Sequence, residues 1–187
     1  MAGCSRCARR LSPGLPCSAC RRLPGFFPAA SWARYAPPLD RILTHLKYRP
    51  DLDIAERLAG HLEEVYRAAA WTATCVVPVP LGGARRRRRG YNQVGLIAQA
   101  LGKHLDMPVP TSALVRIRET DSQVGLTPIE RQRNVSGAFA ADATRIRGQS
   151  PLLLDDVFTP GATLAACADA LRRAGASQVF GLTVARA

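Results

Sequence analysis

The chain has 187 residues, 47% of them hydrophobic, and a formal charge of +12 from 26 Lys and Arg against 14 Asp and Glu. That length supports one sizeable core with room for a small appendage, and no stretch approaches the roughly 18 apolar residues of a membrane span. Pro13, Pro16 and polar residues interrupt the basic N-terminus, so it lacks the apolar centre of a signal peptide, and the default location is cytoplasmic.

Residues 1–24 carry Cys4, Cys7, Cys17 and Cys20 as two Cys-x-x-Cys pairs separated by nine residues. Each pair fits a tight turn with both sulfurs aimed at one ion, which favours structural Zn²⁺ over disulfides in a cytosolic chain. A redox pair or an iron site is the alternative. The segment has too few apolar residues to fold alone, so zinc, worth roughly 10–16 kcal/mol in finger peptides, would supply its folding energy. The stretch from Pro24 to Pro28 reads as a linker, and residues 25–187 as an α/β domain.

After Pro37 and Pro38, helical spacing of Leu39, Ile42, Leu43 and Leu46 predicts a helix. Ile54, Leu58, Leu62 and Val65 predict a second from about Asp53 to Ala69. Thr74–Pro80 is β-branched and apolar and reads as a buried strand; the arginine run Arg85–Arg89 that follows reads as a loop. Val94, Ile97, Ala98, Leu101 and Leu105 share one face of a helix predicted over residues 92–105. Leu114–Ile117 is a short strand. Thr127-Pro128-Ile129-Glu130 has the form of a capping box opening a helix through about Asn134. Leu152–Val157 is a strand, and residues 163–174 a helix ending at Gly175 as its C′ glycine. Gln178–Val184 is a closing strand. Strand, helix and strand together predict a right-handed crossover on a parallel sheet. Cys75 in its strand and Cys167 in its helical stripe read as small buried hydrophobes. His45, His61 and His104 fall in helical stretches without matched partners, at helix surfaces or boundaries.

The run Leu152–Thr163 is the richest in chemistry. Asp155 and Asp156 sit at the carboxyl end of the leucine-rich strand, where ligands bind in open parallel sheets. Successive strand residues point to opposite faces, but a bend at the strand end lets both carboxylates reach one ligand. They suit the vicinal hydroxyls of a ribose, directly or through Mg²⁺ and water; the bland alternative is a pair of solvated acids. The loop from Thr159 to Thr163 then opens a helix and offers backbone N–H groups and hydroxyls to a phosphate. Gly161 allows close approach, and Thr163 serves either the phosphate, the helix N-cap, or both.

Leu152–Thr163 resembles the phosphoribosyl pyrophosphate (PRPP) signature of type I phosphoribosyltransferases: an apolar strand, two acids, and a Thr-rich loop ending Gly-x-Thr. Upstream, Val76-Val77-Pro78-Val79-Pro80-Leu81 followed by Arg85, Arg87, Arg89, Gly90, Tyr91, Asn92 and Gln93 resembles the Val-Pro-Val-Pro … Arg-Gly-Phe-Asn-Gln block of the ComF family of competence-associated proteins. Arg116, Arg118, Thr120, Gln123, Leu126, Arg131, Asn134 and Phe139 match that family's next block, and the N-terminal cysteine pairs match its zinc-ribbon start. The resemblance covers nearly the whole chain. It implies a small N-terminal zinc ribbon on a parallel-sheet, type I phosphoribosyltransferase-like core. It also implies a role in DNA uptake, with PRPP or a related phosphosugar, single-stranded DNA and a competence helicase as partners. Carried over residue by residue, Asp155 and Asp156 hold the ribose 2′- and 3′-hydroxyls, and Thr159, Gly161, Ala162 and Thr163 wrap the 5′-phosphate. The loop after Pro80 lies near the pyrophosphate. One departure stands out. Pro160 occupies a position usually held by Thr or Ser, and proline removes a hydroxyl and a backbone N–H from an anion site.

Two functions follow. In one, a nucleophile displaces pyrophosphate from C1′ of PRPP, with Mg²⁺ and arginines stabilising the leaving group. In the other, the domain binds a phosphosugar or nucleotide without turnover and works through single-stranded DNA and a protein partner. Arg85, Arg87 and Arg89, with Arg86 and Arg88 beyond the family pattern, read as a pyrophosphate clamp, a nucleic-acid patch or a solvated loop. Tyr91 is the only adjacent aromatic, so base stacking has little sequence support. The total charge has its own two readings: a surface for phosphates, or the arginine usage of GC-rich coding DNA. No Walker A loop is present, which argues against ATP hydrolysis.

Overall fold

The computed structural model describes residues 27–119, 128–158 and 162–187. Cys4, Cys7, Cys17 and Cys20 lie outside the described residues, as do Thr120, Gln123, Leu126, the Thr127 cap, and Thr159, Pro160 and Gly161.

Four parallel strands form the main sheet: β1 (Ala29–Arg34), β2 (Cys75–Pro78), β5 (Pro151–Phe158) and β6 (Phe180–Arg186), in the order β1-β6-β5-β2. Their apolar runs are continuous because both faces are covered. Alternation sorts the side chains between the faces. Val76, Leu152, Leu154, Leu182 and Val184 pack beneath α1 (Leu39–Tyr48), α2 (Leu52–Ala68) and α4 (Gln93–Leu105). Val77 and Leu153 face the opposite layer. That layer holds α7 (Ala162–Arg173), α5 (Pro128–Val135), α6 (Ala143–Ile146) and a two-stranded antiparallel hood of β3 (Leu114–Arg116) and β4 (Phe139–Ala141).

The predicted helices form for the reasons the spacing indicated. Leu39, Leu43 and Leu46 are buried along α1, each worth about 1.5–3 kcal/mol in transfer from water. Asp51 caps α2, its Oδ1 accepting from the Ile54 N–H at 3.0 Å. Asn92 caps α4 through the Val94 N–H at 3.1 Å. Cys75 and Cys167 are buried free thiols, and burial pushes both upward in pKa.

Two expectations are corrected. Arg85–Arg89 is not a loop but most of a helix, α3 (Gly83–Arg89). Arginine is a good helix former, and Gly90, at φ +77°, ends the helix with its N–H donating to Arg86 O at 2.8 Å. The histidines do have partners. His104 lies between Glu56 (2.6 Å) and Glu63 (2.9 Å), His45 is 3.3 Å from Asp51, and His61 stacks on Trp32 with ring centroids 4.1 Å apart. Three elements, β1, β4 and α6, have no counterpart in the sequence reading.

Candidate functional site

β5 brings the two acids to the carboxyl end of the sheet, Asp155 in register with Thr183 of β6. The strand runs on to Phe158, and its alternation changes phase across the acid pair. Leu153 packs with the α7 layer and Leu154 with the α1–α2–α4 layer, yet Val157 joins the latter and Phe158 the former. The twist of the strand therefore falls at the acid pair. The Asp156 N–H donates to Asp155 Oδ1 at 2.8 Å.

The two acids have different surroundings. Asp155 is partly buried, and its carboxyl is held well above the ordinary range, first by burial and then by the charge of Asp156. Its field also reaches Cys167 of α7. Asp156 has a built support. Its Oδ2 accepts from Gln93 Nε2 at 3.0 Å and faces Lys47 Nζ at 3.6 Å. Gln93 is 3% exposed, and its Oε1 in turn accepts from Arg89 Nη1 at 2.9 Å. Arg89 Nε is buried without a hydrogen-bond partner among the described residues.

The block Arg89–Gln93 is therefore a bracket. Tyr91 donates its hydroxyl to Leu46 O at 2.7 Å, which docks the C-terminal part of α1. Asn92 Nδ2 donates to Val79 O at 3.0 Å, which docks the segment after β2. Gly90 makes the left-handed turn that allows both. Lys47 arrives through α1, and nothing local in the sequence links it to Asp156. The only available signal was its rarity, since Lys47 and Lys103 are the only lysines in an arginine-rich chain.

Of the remaining predicted site residues, Ala162 is buried at the start of α7 and Thr163 follows it, partly buried. Thr159 and Gly161 lie outside the described residues. Arg85 and Arg87 are exposed on α3, away from the Asp156 network that Arg89 joins. At the start of α3, Glu119 Oε1 accepts from the Ala84 N–H at 3.0 Å. Among the described residues no three His, Cys, Asp or Glu side chains gather as a metal cluster. Two carboxylates suffice for Mg²⁺, which takes its other ligands from substrate phosphates and water, so the acid pair fits that ion.

A concavity lies on the β2 side. This groove of about 560 Å³ runs between α3, α4 and β3, with Arg86, Tyr91, Leu96, Gln99, Val115 and Arg116 in its walls. It includes neither Asp155 nor Asp156. Asn92 lines it while the adjacent Gln93 supports Asp156, so the N-terminus of α4 separates the two places.

The chain is 35% identical over 173 residues to DNA utilization protein YhgH of Salmonella typhi, covering 89% of this chain and 76% of that protein. It is 34% identical over 157 residues to Competence protein F of Haemophilus influenzae, covering 79% and 69%. To Competence protein ComFC of Bacillus subtilis the identity is 27% over 154 residues, covering 81% and 61%. No protein-family model matches. Among solved structures, glutamine phosphoribosylpyrophosphate amidotransferase from B. subtilis, complexed with ADP and GMP, aligns with a TM-score of 0.50 at 15% identity. That alignment covers 83% of this chain but only 31% of the amidotransferase, and at such identity the likeness is one of fold. Among the described residues no helix is long and apolar enough to cross a membrane.

Proposed function

The chain belongs to the ComF family of competence and DNA-utilization proteins, and we propose that its acid pair binds PRPP or a related phosphosugar in the service of DNA uptake. The observation that carries this reading is the bracketing of Asp156 by Gln93 and Lys47 beside a differently housed Asp155. A solvated pair of surface acids needs no buried amide to orient it. Asp155 and Asp156 take the ribose hydroxyls, and Thr159, Gly161, Ala162 and Thr163 take the 5′-phosphate. Arg89 holds Gln93 in place and keeps a buried Nε–H of the kind an oxyanion satisfies. Asp155 and Asp156 would hold the Mg²⁺ that accompanies PRPP, and the ion would supply charge neutralisation at the pyrophosphate. The four N-terminal cysteines hold a structural zinc ion.

Binding without turnover is the better-supported form of this reading. Pro160 removes a hydroxyl and a backbone N–H from the phosphate loop, and Arg86 and Arg88 go beyond the transferase pattern, which together favour binding over transfer. The test is calorimetric titration of the full chain with PRPP and Mg²⁺, alongside an assay for pyrophosphate release with and without amine or base acceptors. Saturable binding that weakens about tenfold or more in Asp156→Asn supports the site; no binding by the wild type refutes it. Release of pyrophosphate would establish transfer. A second reading, that the chain also handles single-stranded nucleic acid, is favoured by Arg85–Arg88, all exposed on α3.

A further inference from the structure

Two side chains reach the same oxygen of Asp156, and they hold it in different ways. Gln93 is buried, locked by Arg89, and donates a hydrogen bond to Oδ2 at 3.0 Å. Lys47 Nζ stands 3.6 Å from Oδ2, beyond hydrogen-bond range, so charge alone holds it there. The Lys47 side chain keeps 28% exposure, against 13% for Asp156. Gln93 is the fixed support and Lys47 the exchangeable one.

The backbone sets the position of Lys47 independently of this ion pair. Leu43 and Leu46 anchor α1 in the core, and the Tyr91 hydroxyl donates to Leu46 O at 2.7 Å. From that fixed point a flexible four-carbon stem carries a compact charge with three rotatable donors. An arginine fork would grip a carboxylate through two parallel hydrogen bonds and stay. This chain has 26 basic residues, only two of them lysines, and one of the two stands here. The field of Lys47 covers both acids. Burial and then the Asp156 charge push the Asp155 carboxyl up in pKa, and Lys47 draws it part of the way back. The ammonium is therefore the resident counter-ion of a pair that otherwise suits a divalent cation and repels a phosphate.

We propose that Lys47 is an exchangeable counter-ion that keeps bare divalent ions off the acid pair until a phosphosugar arrives and draws the ammonium onto its phosphate oxygens. This rests on the phosphosugar reading above and adds a control to that site: the metal and the sugar phosphate enter together. In the free protein a lone metal ion must displace the ammonium, which then has no better anion to go to. A sugar bearing a pyrophosphate offers the ammonium several charged acceptors, and its departure frees Asp156 for the ion that accompanies the sugar. Each ligand then tightens the other by the same factor. Gln93 keeps its bond to Asp156 throughout, so the carboxylate stays aimed while its cation changes.

Two titrations of the full chain test this: Mn²⁺ alone, read by loss of the free-ion electron paramagnetic resonance signal, and PRPP with excess Mg²⁺, read by calorimetry. Lys47→Gln is compared with Lys103→Gln, which removes the other lysine, exposed in the last turn of α4. Lys47→Gln is expected to bind Mn²⁺ about fivefold or more tighter than wild type, and PRPP about fivefold or more weaker. Lys103→Gln should match wild type in both. The Mn²⁺ gain should vanish when Asp156→Asn is added. Opposite signs are the signature, since a damaged fold would lower both affinities. Equal or weaker Mn²⁺ binding by Lys47→Gln, with PRPP bound normally by the wild type, would overturn the exchange alone. Unchanged PRPP affinity in Lys47→Gln would do the same. A wild type that takes no PRPP would overturn the phosphosugar reading, and the exchange with it.

Discussion

Gln93 is one of two buried polar side chains among the described residues, with Thr183 the other, and both lie near the carboxyl ends of the central strands. A buried amide must find partners, and Gln93 finds Arg89 and Asp156. Gln93→Leu should therefore leave Asp156 with Lys47 alone and weaken PRPP binding about tenfold, with little change in urea midpoint; unchanged affinity would remove Gln93 from the account. Pro160 makes a separate claim. Pro160→Thr restores an N–H and a hydroxyl, so calorimetry should show tighter PRPP binding, and equal affinities would sink the idea. The acid pair was legible because two carboxylates after three leucines are conspicuous in any strand. Lys47 was not, because its meeting with Asp156 depends on how α1 lies across the sheet.

His104 offers a test of stability. Its pKa is raised, chiefly by the hydrogen bond to Glu56, with burial opposing and Glu63 adding to the rise. Glu63 is itself held low by Arg67 and then His104, so it stays charged throughout. A raised folded-state value means that the stabilisation is complete below the unfolded value of about 6.5 and fades as pH rises through the folded one. The wild-type melting temperature should fall across that interval by more than that of His104→Gln. Parallel curves would show that the imidazolium contributes nothing.

At the level of elements, strong amphipathic periodicity was readable and weak or atypical signals were not. α1, α2, α4 and α7 formed close to the predicted bounds because their stripes meet a sheet face. α3 was missed because a run of like charges suggests solvation, whereas helix propensity and the Gly90 stop decide its conformation. β1, Ala-Ala-Ser-Trp-Ala-Arg, has little strand character, and pairing with β6 determines it. Close approach also fixes the segment after α4. A Cβ on Gly102 would meet Val109 and would lie 2.9 Å from Met107 O. That segment lies against β2 through the bond from Val76 N–H to Pro108 O at 3.0 Å. Gly102→Ala should cost about 1–3 kcal/mol in urea denaturation, and an unchanged midpoint would mean that the segment gives way freely.

For the whole molecule, the order β1-β6-β5-β2 places β5 at the interior of the sheet, with the acids beyond its leucine core. The α4 N-terminus then lies between the Asp156 network and the groove beside α3. The cysteine pairs are a third part, and elemental analysis of purified protein should find about one zinc per chain; metal-free protein with four free thiols would defeat the ribbon. The most direct measurement of the central claim is a crystal structure of the full chain with PRPP and Mg²⁺. The ribose hydroxyls should lie on Asp155 and Asp156, with the 5′-phosphate at the start of α7 beside Ala162 and Thr163. A phosphosugar seated elsewhere, with the acid pair untouched, would contradict the account.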